Sequence, residues 1–211
     1  TCRPFAEIIV TVQPQLKVCK NTPISVSTTG CNLTGTYKQV FLLVNAAGNI
    51  VAVDAIDTDC AATFPTTLLP VGDYKVYALN YDSAVLPMPT LTVGTAVNSI
   101  TAGCYNTTTF LNAYRCYTIA PLPVVAVTTN SPVCVGNPLT LTATVSSGTP
   151  NYSYNWNENR AADLANSALT AYTVTVTDTA ALTDAVAYEI TVTDANGCTA
   201  TNFAIAVVNA T

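Results

Sequence analysis

Val18-Cys19-Lys20-Asn21-Thr22-Pro23-Ile24-Ser25-Val26-Ser27 returns 115 positions later as Val133-Cys134-Val135-Gly136-Asn137-Pro138-Leu139-Thr140-Leu141-Thr142. Upstream, Ile9-Val10-Thr11-Val12 aligns with Val124-Val125-Ala126-Val127 at the same offset. Each copy reads as an apolar strand, a short break, a cysteine, a proline-marked turn and a second, alternating strand. A repeat of this length and pattern predicts two tandem β-domains in place of one large fold. It also points away from an enzyme and toward a scaffold or binder.

The rest of the chain carries the same signals. Apolar residues alternate with Thr, Ser and Tyr in Tyr172–Asp178 and Tyr188–Asp194, the period of a half-buried strand. Turns are marked by Ala47-Gly48-Asn49, Pro70-Val71-Gly72-Asp73, Ser147-Gly148-Thr149-Pro150 and Ala195-Asn196-Gly197. Many short strands between such turns predict an all-β, antiparallel sandwich or barrel. Asn159 to Ser167 is the one segment that reads as a helical turn. The stiff Ala120-Pro121-Leu122-Pro123 linker divides the chain into domains 1–121 and 122–211, since each proline fixes φ and stops a helix.

Only 9% of the 211 residues are charged, against about 25% in an ordinary soluble protein. Hydrophobic residues make up 50%, yet no run reaches the roughly 18 apolar residues of a membrane helix, so no membrane insertion is expected. Either much apolar surface is buried between subunits, the reading favoured here, or Ala, Val and Thr displace charge in a β-rich chain. The net charge of −5 resides wholly after Pro121. Nucleic acid is excluded as a partner, because phosphate binding needs clustered Lys and Arg.

The eight cysteines include no CxxC pair, and the chain has no histidine. Disulfides explain them better than a zinc site, and imply a secreted or cell-surface protein whose signal peptide has been removed. Without histidine, Ser-His and Cys-His nucleophile pairs are ruled out, and no catalytic constellation, metal site or cofactor is expected. Asp54, Asp57 and Asp59 sit together beside Cys60 but do not match a calcium loop.

In the second half the motifs become specific. Ser131-Pro-Val-Cys-Val-Gly-Asn137, Leu141-Thr-Ala143, Gly148-Thr-Pro-Asn-Tyr-Ser-Tyr-Asn-Trp156 and Tyr188-Glu-Ile-Thr-Val-Thr-Asp-Ala-Asn-Gly-Cys198 come in order. This run resembles the PKD-like and Ig-like repeats of large surface adhesins from gliding bacteria and their relatives. The first half is similar to a companion module through Gln39–Leu43, Ala47–Val51, Gly72–Tyr81, Leu91–Gly94 and Gly103-Cys104. The resemblance implies two tandem Ig-like antiparallel β-sandwiches with disulfides, used for attachment or surface structure without catalysis.

It also implies a Cys134–Cys198 bridge closing most of the second domain, with Trp156 as the core aromatic against it. Closing so long a loop would stabilise by roughly 4 kcal/mol. By the repeat, Cys19 then pairs late in its own domain, with Cys104 or Cys116. Cys31 and Cys60 bracket the Tyr37–Val53 hairpin as natural mates and Cys2 would take whichever late cysteine remains, the sequence alone leaving these connectivities open. Asp82-Ser83-Ala84 and Asp178-Thr179-Ala180 resemble a bacterial O-glycosylation sequon, making Ser83 and Thr179 candidate acceptors. Asn32, Asn106, Asn151 and Asn209 stand in Asn-x-Ser/Thr patterns.

The chain ends carry the sharper expectation. Ile8, Val10 and Val12 near one end, and Phe203, Ile205 and Val207 near the other, lie on strongly β-prone strands. A terminal strand either completes its own domain or adds to a neighbour's sheet, and head-to-tail repetition of the second arrangement builds a filament. A short chain without an anchor favours the subunit of an extracellular filament whose partner is itself. The alternative is an adhesin segment binding glycans or surfaces through loop tyrosines such as Tyr105, Tyr114 or Tyr152. A non-catalytic accessory module of a secreted enzyme comes third.

Overall fold

The computed structural model describes residues 15–28, 35–57, 60–84, 91–100, 114–158, 172–177 and 185–210. The chain divides into two compact units, Thr1–Ile119 and Ala120–Thr211. The first contains β1 (Leu16–Cys19), β2 (Ile24–Ser27), β3 (Tyr37–Asn45), β4 (Ile50–Asp57), β5 (Ala61–Phe64), β6 (Gly72–Asp82) and β7 (Tyr114–Ala120), which ends on the first residue of the second unit. Its sheets have the orders β1-β7-β6-β3-β4 and β2-β5. Ile24, Phe41, Leu43, Phe64, Val76, Tyr117 and Ile119 fill the core between them. Tyr74, near the start of β6, donates its hydroxyl to the Pro70 carbonyl at 2.8 Å. That is the tyrosine corner of an Ig-like sandwich, fixing the entry of the chain into its strand.

β3 departs from simple alternation. Val40 to Val44 are all almost completely buried. Phe41 and Leu43 face β2 and β5, while Val40, Leu42 and Val44 join Ile50, Tyr77, Leu79 and Val97 in a second core. A strand covered on both faces reads as a continuous apolar run, and Val-Phe-Leu-Leu-Val is one. The cover includes residues 91–100. There Gly94 donates to the Ile50 carbonyl, Ile50 to Thr95 and Val97 to Gly48. A single 3₁₀ turn, Val97–Ser99, sets Val97 into that core. The helical turn expected at Asn159 to Ser167 lies outside the described residues.

The second unit contains β8 (Val124–Thr129), β9 (Val133–Cys134), β10 (Pro138–Ser147), β11 (Ser153–Glu158), β12 (Thr173–Thr177), β13 (Val186–Thr193), β14 (Thr199–Ala206) and β15 (Val208–Asn209). The sheets β12-β10-β8 and β11-β13-β14 are antiparallel, and β9 pairs with β15 in parallel. Leu139, Leu141, Trp156, Val174, Tyr188, Ile190 and Val192 form the core. Trp156 is buried in this core, which also holds Tyr188, and neither β10 nor β13 carries a cysteine.

The internal repeat survives as structure. Asn21 and its counterpart Gly136 both have positive φ, at 72° and 80°. The turn closes on the Cys19 carbonyl from Thr22 N–H at 2.9 Å, and on the Cys134 carbonyl from Asn137 N–H at 3.0 Å. Ile24 and Leu139 follow as buried first anchors of β2 and β10. The left-handed residue costs little as Gly or Asn, which explains why the two copies differ there without changing the turn.

Candidate interaction surfaces

β14 alternates between a buried and an exposed row. Ala204 and Ala206 face the core, while Phe203 and Ile205 are 58% and 56% exposed. Their cross-strand neighbours on β13 are Glu189 and Ala187. Two large apolar side chains at i and i+2 thus stand on the outer face of the sheet, at its edge strand. Val207, by contrast, is tied inward. Its N–H donates to Ser131 Oγ at 2.7 Å and its carbonyl accepts from Val133 N–H at 3.2 Å.

The strand expected near the C-terminus therefore belongs to its own sandwich, paired along its whole length with β13. Asn202 bridges to β8 by donating Nδ2 to the Val125 carbonyl, and its Oδ1 accepts from Phe203 N–H at 2.8 Å. Side chains, in place of a backbone ladder, link β14 to β8. The other predicted assembly strand, with Ile8, Val10 and Val12, lies outside the described residues.

One pole of the second unit is organised by a buried carboxylate. Asp194 is only 5% exposed and accepts three backbone hydrogen bonds, from Thr149 (2.9 Å), Asn196 (2.8 Å) and Cys198 (2.9 Å). The turn after β10 is thereby fastened to the turn between β13 and β14. Gly148, with φ of 92°, completes this pole. A Cβ there would meet the Pro123 backbone at 3.1 Å and Asp194 Oδ2 at 3.3 Å, so only glycine fits without a shift. Asp194 counts toward the acidic half of the sequence, but its role here is structural.

The cysteine framework differs from the one expected. Cys19, Cys60 and Cys198 are disulfide-bonded, whereas Cys116 and Cys134 carry free thiols. The Cys134–Cys198 bridge is not formed, and strand geometry explains why. Cys134 precedes β10 and pairs with Asn209, whereas Cys198 sits at the Asp194 pole, beyond the other end of β10. Ten strand residues separate those poles, about 30 Å at the usual rise, while a disulfide spans a Cα separation of roughly 4–7 Å. Cys116 is likewise unbonded, so it is not the mate of Cys19 or Cys2. It lies on β7 opposite Lys75, on the far side of the strand from the inward-facing Tyr117 and Ile119. Cys2, Cys31 and Cys104 lie outside the described residues.

The remaining candidates separate clearly. Tyr114 is half-buried: Lys75 Nζ lies 4.1 Å from its ring centroid and the Tyr77 ring 5.3 Å away, so its faces are already engaged. Tyr152 is also half-buried and donates to the Ser147 carbonyl at 3.3 Å. Tyr105 lies outside the described residues. Tyr172, which the sequence reading did not single out, is 60% exposed and 6.4 Å from the Tyr154 ring. Ser83 is exposed, with its hydroxyl donating to the Thr36 carbonyl at 2.8 Å; Thr179 is outside the described residues. Asp54 accepts from Thr63 N–H at 3.3 Å, and among the described residues no group of metal-binding side chains gathers.

Burial raises the phenol pKa of Tyr74, Tyr77 and Tyr117 above 10.0. For Tyr77 the nearby Tyr114 and Cys116 push in the same direction, and for Tyr117 the Arg115 charge partly opposes.

No protein-family model and no curated protein sequence matches this chain. Among solved structures it is similar to the N-terminal eight Ig domains of Down Syndrome Cell Adhesion Molecule isoform 1.30.30, with 9% identity and a TM-score of 0.47. That likeness covers 93% of this chain and 24% of that one. It is similar to the full ectodomain (Ig1–Ig3) of mouse nectin-like molecule 4, with 13% identity and a TM-score of 0.37, covering 95% and 63% of the two chains. The BSP domain of a biofilm associated protein aligns with 13% identity and a TM-score of 0.30 over 93% of this chain and 29% of its own. This chain thus spans about a quarter of the first of these and under two thirds of the second. The strand order, the tyrosine corner and the parallel β9–β15 closure define an all-β protein built from Ig-like sandwich units.

Proposed function

We propose that this chain is a structural subunit of an extracellular, cell-surface filament, assembled head to tail from copies of itself. In this reading residues 1–121 and 122–211 are its domains, related to the PKD-like repeats of bacterial surface proteins. The observation that carries the proposal is the Phe203–Ile205 pair on the edge strand β14. Both are large and more than half exposed, in a chain with little charge to keep such surfaces apart. Apolar side chains aligned on a sheet edge are removed from water most simply by another copy. Bonded Cys19, Cys60 and Cys198 support an oxidising, extracellular location.

Electron microscopy of material sheared from the native cell surface, with mass spectrometry to identify the chain, tests the proposal. Regular filaments built of this polypeptide are expected. Monomers alone, or the sequence embedded in a longer non-polymeric adhesin, would refute it. The exposed Tyr172 favours the adhesin alternative, because an exposed aromatic ring is a stacking platform for sugars. Saturable binding of a glycan by the monomer, lost in Tyr172→Ala, would support that second reading.

A further inference from the structure

β2 pairs with β5 on one side, and among the described residues no strand lies along its other edge. Just past β2, Thr28 N–H donates to the Cys60 carbonyl at 2.9 Å. That contact continues the register of Ile24 with Phe64 and Val26 with Ala62, so these alternate residues direct their backbone groups to β5. Ser25 and Ser27 direct theirs to the other edge, where the Tyr117 hydroxyl donates to the Ser25 carbonyl at 3.2 Å. A row of backbone groups along an open edge is a template for a further strand.

The second unit shows what occupies the corresponding place. β10 is the repeat counterpart of β2, and Ala143 N–H donates to the Tyr172 carbonyl as Thr28 does to Cys60. The far edge of β10 carries β8, with Thr142 opposite Thr128, Ala143 opposite Val127 and Thr144 opposite Ala126. On β8, Val125 and Val127 pack against the core, whereas Val124, Ala126 and Thr128 are exposed. The offset of 115 residues maps that inward row onto Val10 and Val12. Val26 is half-buried where its counterpart Leu141 is fully buried, which leaves apolar surface for such a row to cover.

We propose that the free edge of β2 is the docking site of residues 9–13 of the same chain, running antiparallel with Gln13 opposite Ser27 and Val12 opposite Thr28. Thr11 and Gln13 then turn their N–H groups to β2. Pro14 falls at a position whose N–H would point away, so its missing donor costs nothing there. Chain continuity makes the source this copy. Gln15 is fixed on the facing sheet, where its Nε2 donates to Asp73 Oδ1 at 2.8 Å and to Thr118 Oγ1 at 2.5 Å, and Leu16 opens β1 beside β7. From residue 13 to residue 16 the chain takes three steps of about 3.3 Å, which matches the roughly 10 Å between packed sheets. Residues 130–132 make the same crossing between β8 and β9. A strand from a second copy would carry the added cost of association.

The proposal stands on the repeat and not on the filament reading. It bears on that reading by closing one route of assembly: with β2 covered by its own chain, strand exchange at this edge is blocked, and the outer row of β14 is left as the contact between copies.

Nuclear magnetic resonance of the full chain, as an equimolar mixture of carbon-13-labelled and unlabelled copies, tests it. Val12 and Thr28 form a non-hydrogen-bonded pair, so their Hα protons should show a direct Overhauser contact within the labelled chain. The N–H groups of Gln13 and Ser27 should exchange with solvent about tenfold or more slowly than that of Val12, which faces away from β2. Thr11→Pro should remove this protection, while Pro14→Ala should keep it. These wild-type readouts need no variant to fold. A missing Val12–Thr28 contact, equal exchange at the three amides, or a contact found only between labelled and unlabelled copies would each overturn the proposal. The last result, with filaments seen by microscopy, would leave the filament reading standing. The contact within one chain, with no filaments under any condition, would support the docking while the filament reading fails.

Discussion

Replacing Asp194 with alanine deletes the acceptor of three backbone N–H groups at once. Their fates differ with exposure. Cys198 is 1% exposed, so its N–H is left without water and costs the full penalty of an unmade bond, about 1–3 kcal/mol. Thr149 and Asn196 are half-buried, so solvent replaces part of what the carboxylate gave; each then loses about 1 kcal/mol. The sum is roughly 3–5 kcal/mol for the second unit, which corresponds to a fall in Tm of at least about 12 °C for a unit of this size.

Trp156 is the only tryptophan and lies in the core of that same unit, so its fluorescence during urea unfolding reports the second unit alone. The midpoint should drop without a change in slope, which would mark a loss of stability and not of compactness. Asp194→Asn, keeping one acceptor oxygen, should fall between wild type and alanine. A loss below about 1 kcal/mol in Asp194→Ala would refute the claim that this carboxylate holds the pole together.

Gly148→Ala should cost about 2–4 kcal/mol by the same assay, because strain at positive φ adds to the close approach of Pro123 and Asp194. Gly136→Ala, at similar φ with open space around it, should cost only about 1–2 kcal/mol; equal losses would discount the contact. The raised pKa values of Tyr74, Tyr77 and Tyr117 set a sign for alkaline behaviour. Because the unfolded phenols ionise first, their contribution is fully present below pH 10.0 and is lost as pH climbs from there through the folded values. Tyrosine ultraviolet titration should show late-ionising phenols and a first unit that unfolds in that window; uniform titration near the ordinary value would contradict it. Phe203→Ser combined with Ile205→Ser should leave monomer stability within about 0.5–1 kcal/mol while abolishing sedimentable polymer, and undiminished polymer would move the interface elsewhere.

Local conformation was legible in the residues themselves. Gly48, Gly148 and Gly197 take positive φ at turns that their dipeptides mark, and Thr173–Thr177 and Val186–Thr193 form strands where the alternation runs. Phe203 and Ile205 were legible as strand residues, though not as the exposed row of an intramolecular strand. What faces β3 was hidden, because residues 91–100 cover it from fifty positions away and an apolar run does not name its cover. The pairing of Tyr114 with Lys75 and Tyr77 depends on the same sheet assembly.

By itself, the sequence determined the repeat, the strands and the turns, because these depend on φ preferences and a period of two that neighbouring residues enforce. The tertiary structure decided which cysteines can meet. Cys134 and Cys198 look like mates along the chain, yet the length of β10 holds them at opposite poles. Only the folded sandwich fixes that separation, and it leaves Cys134 exposed with a free thiol.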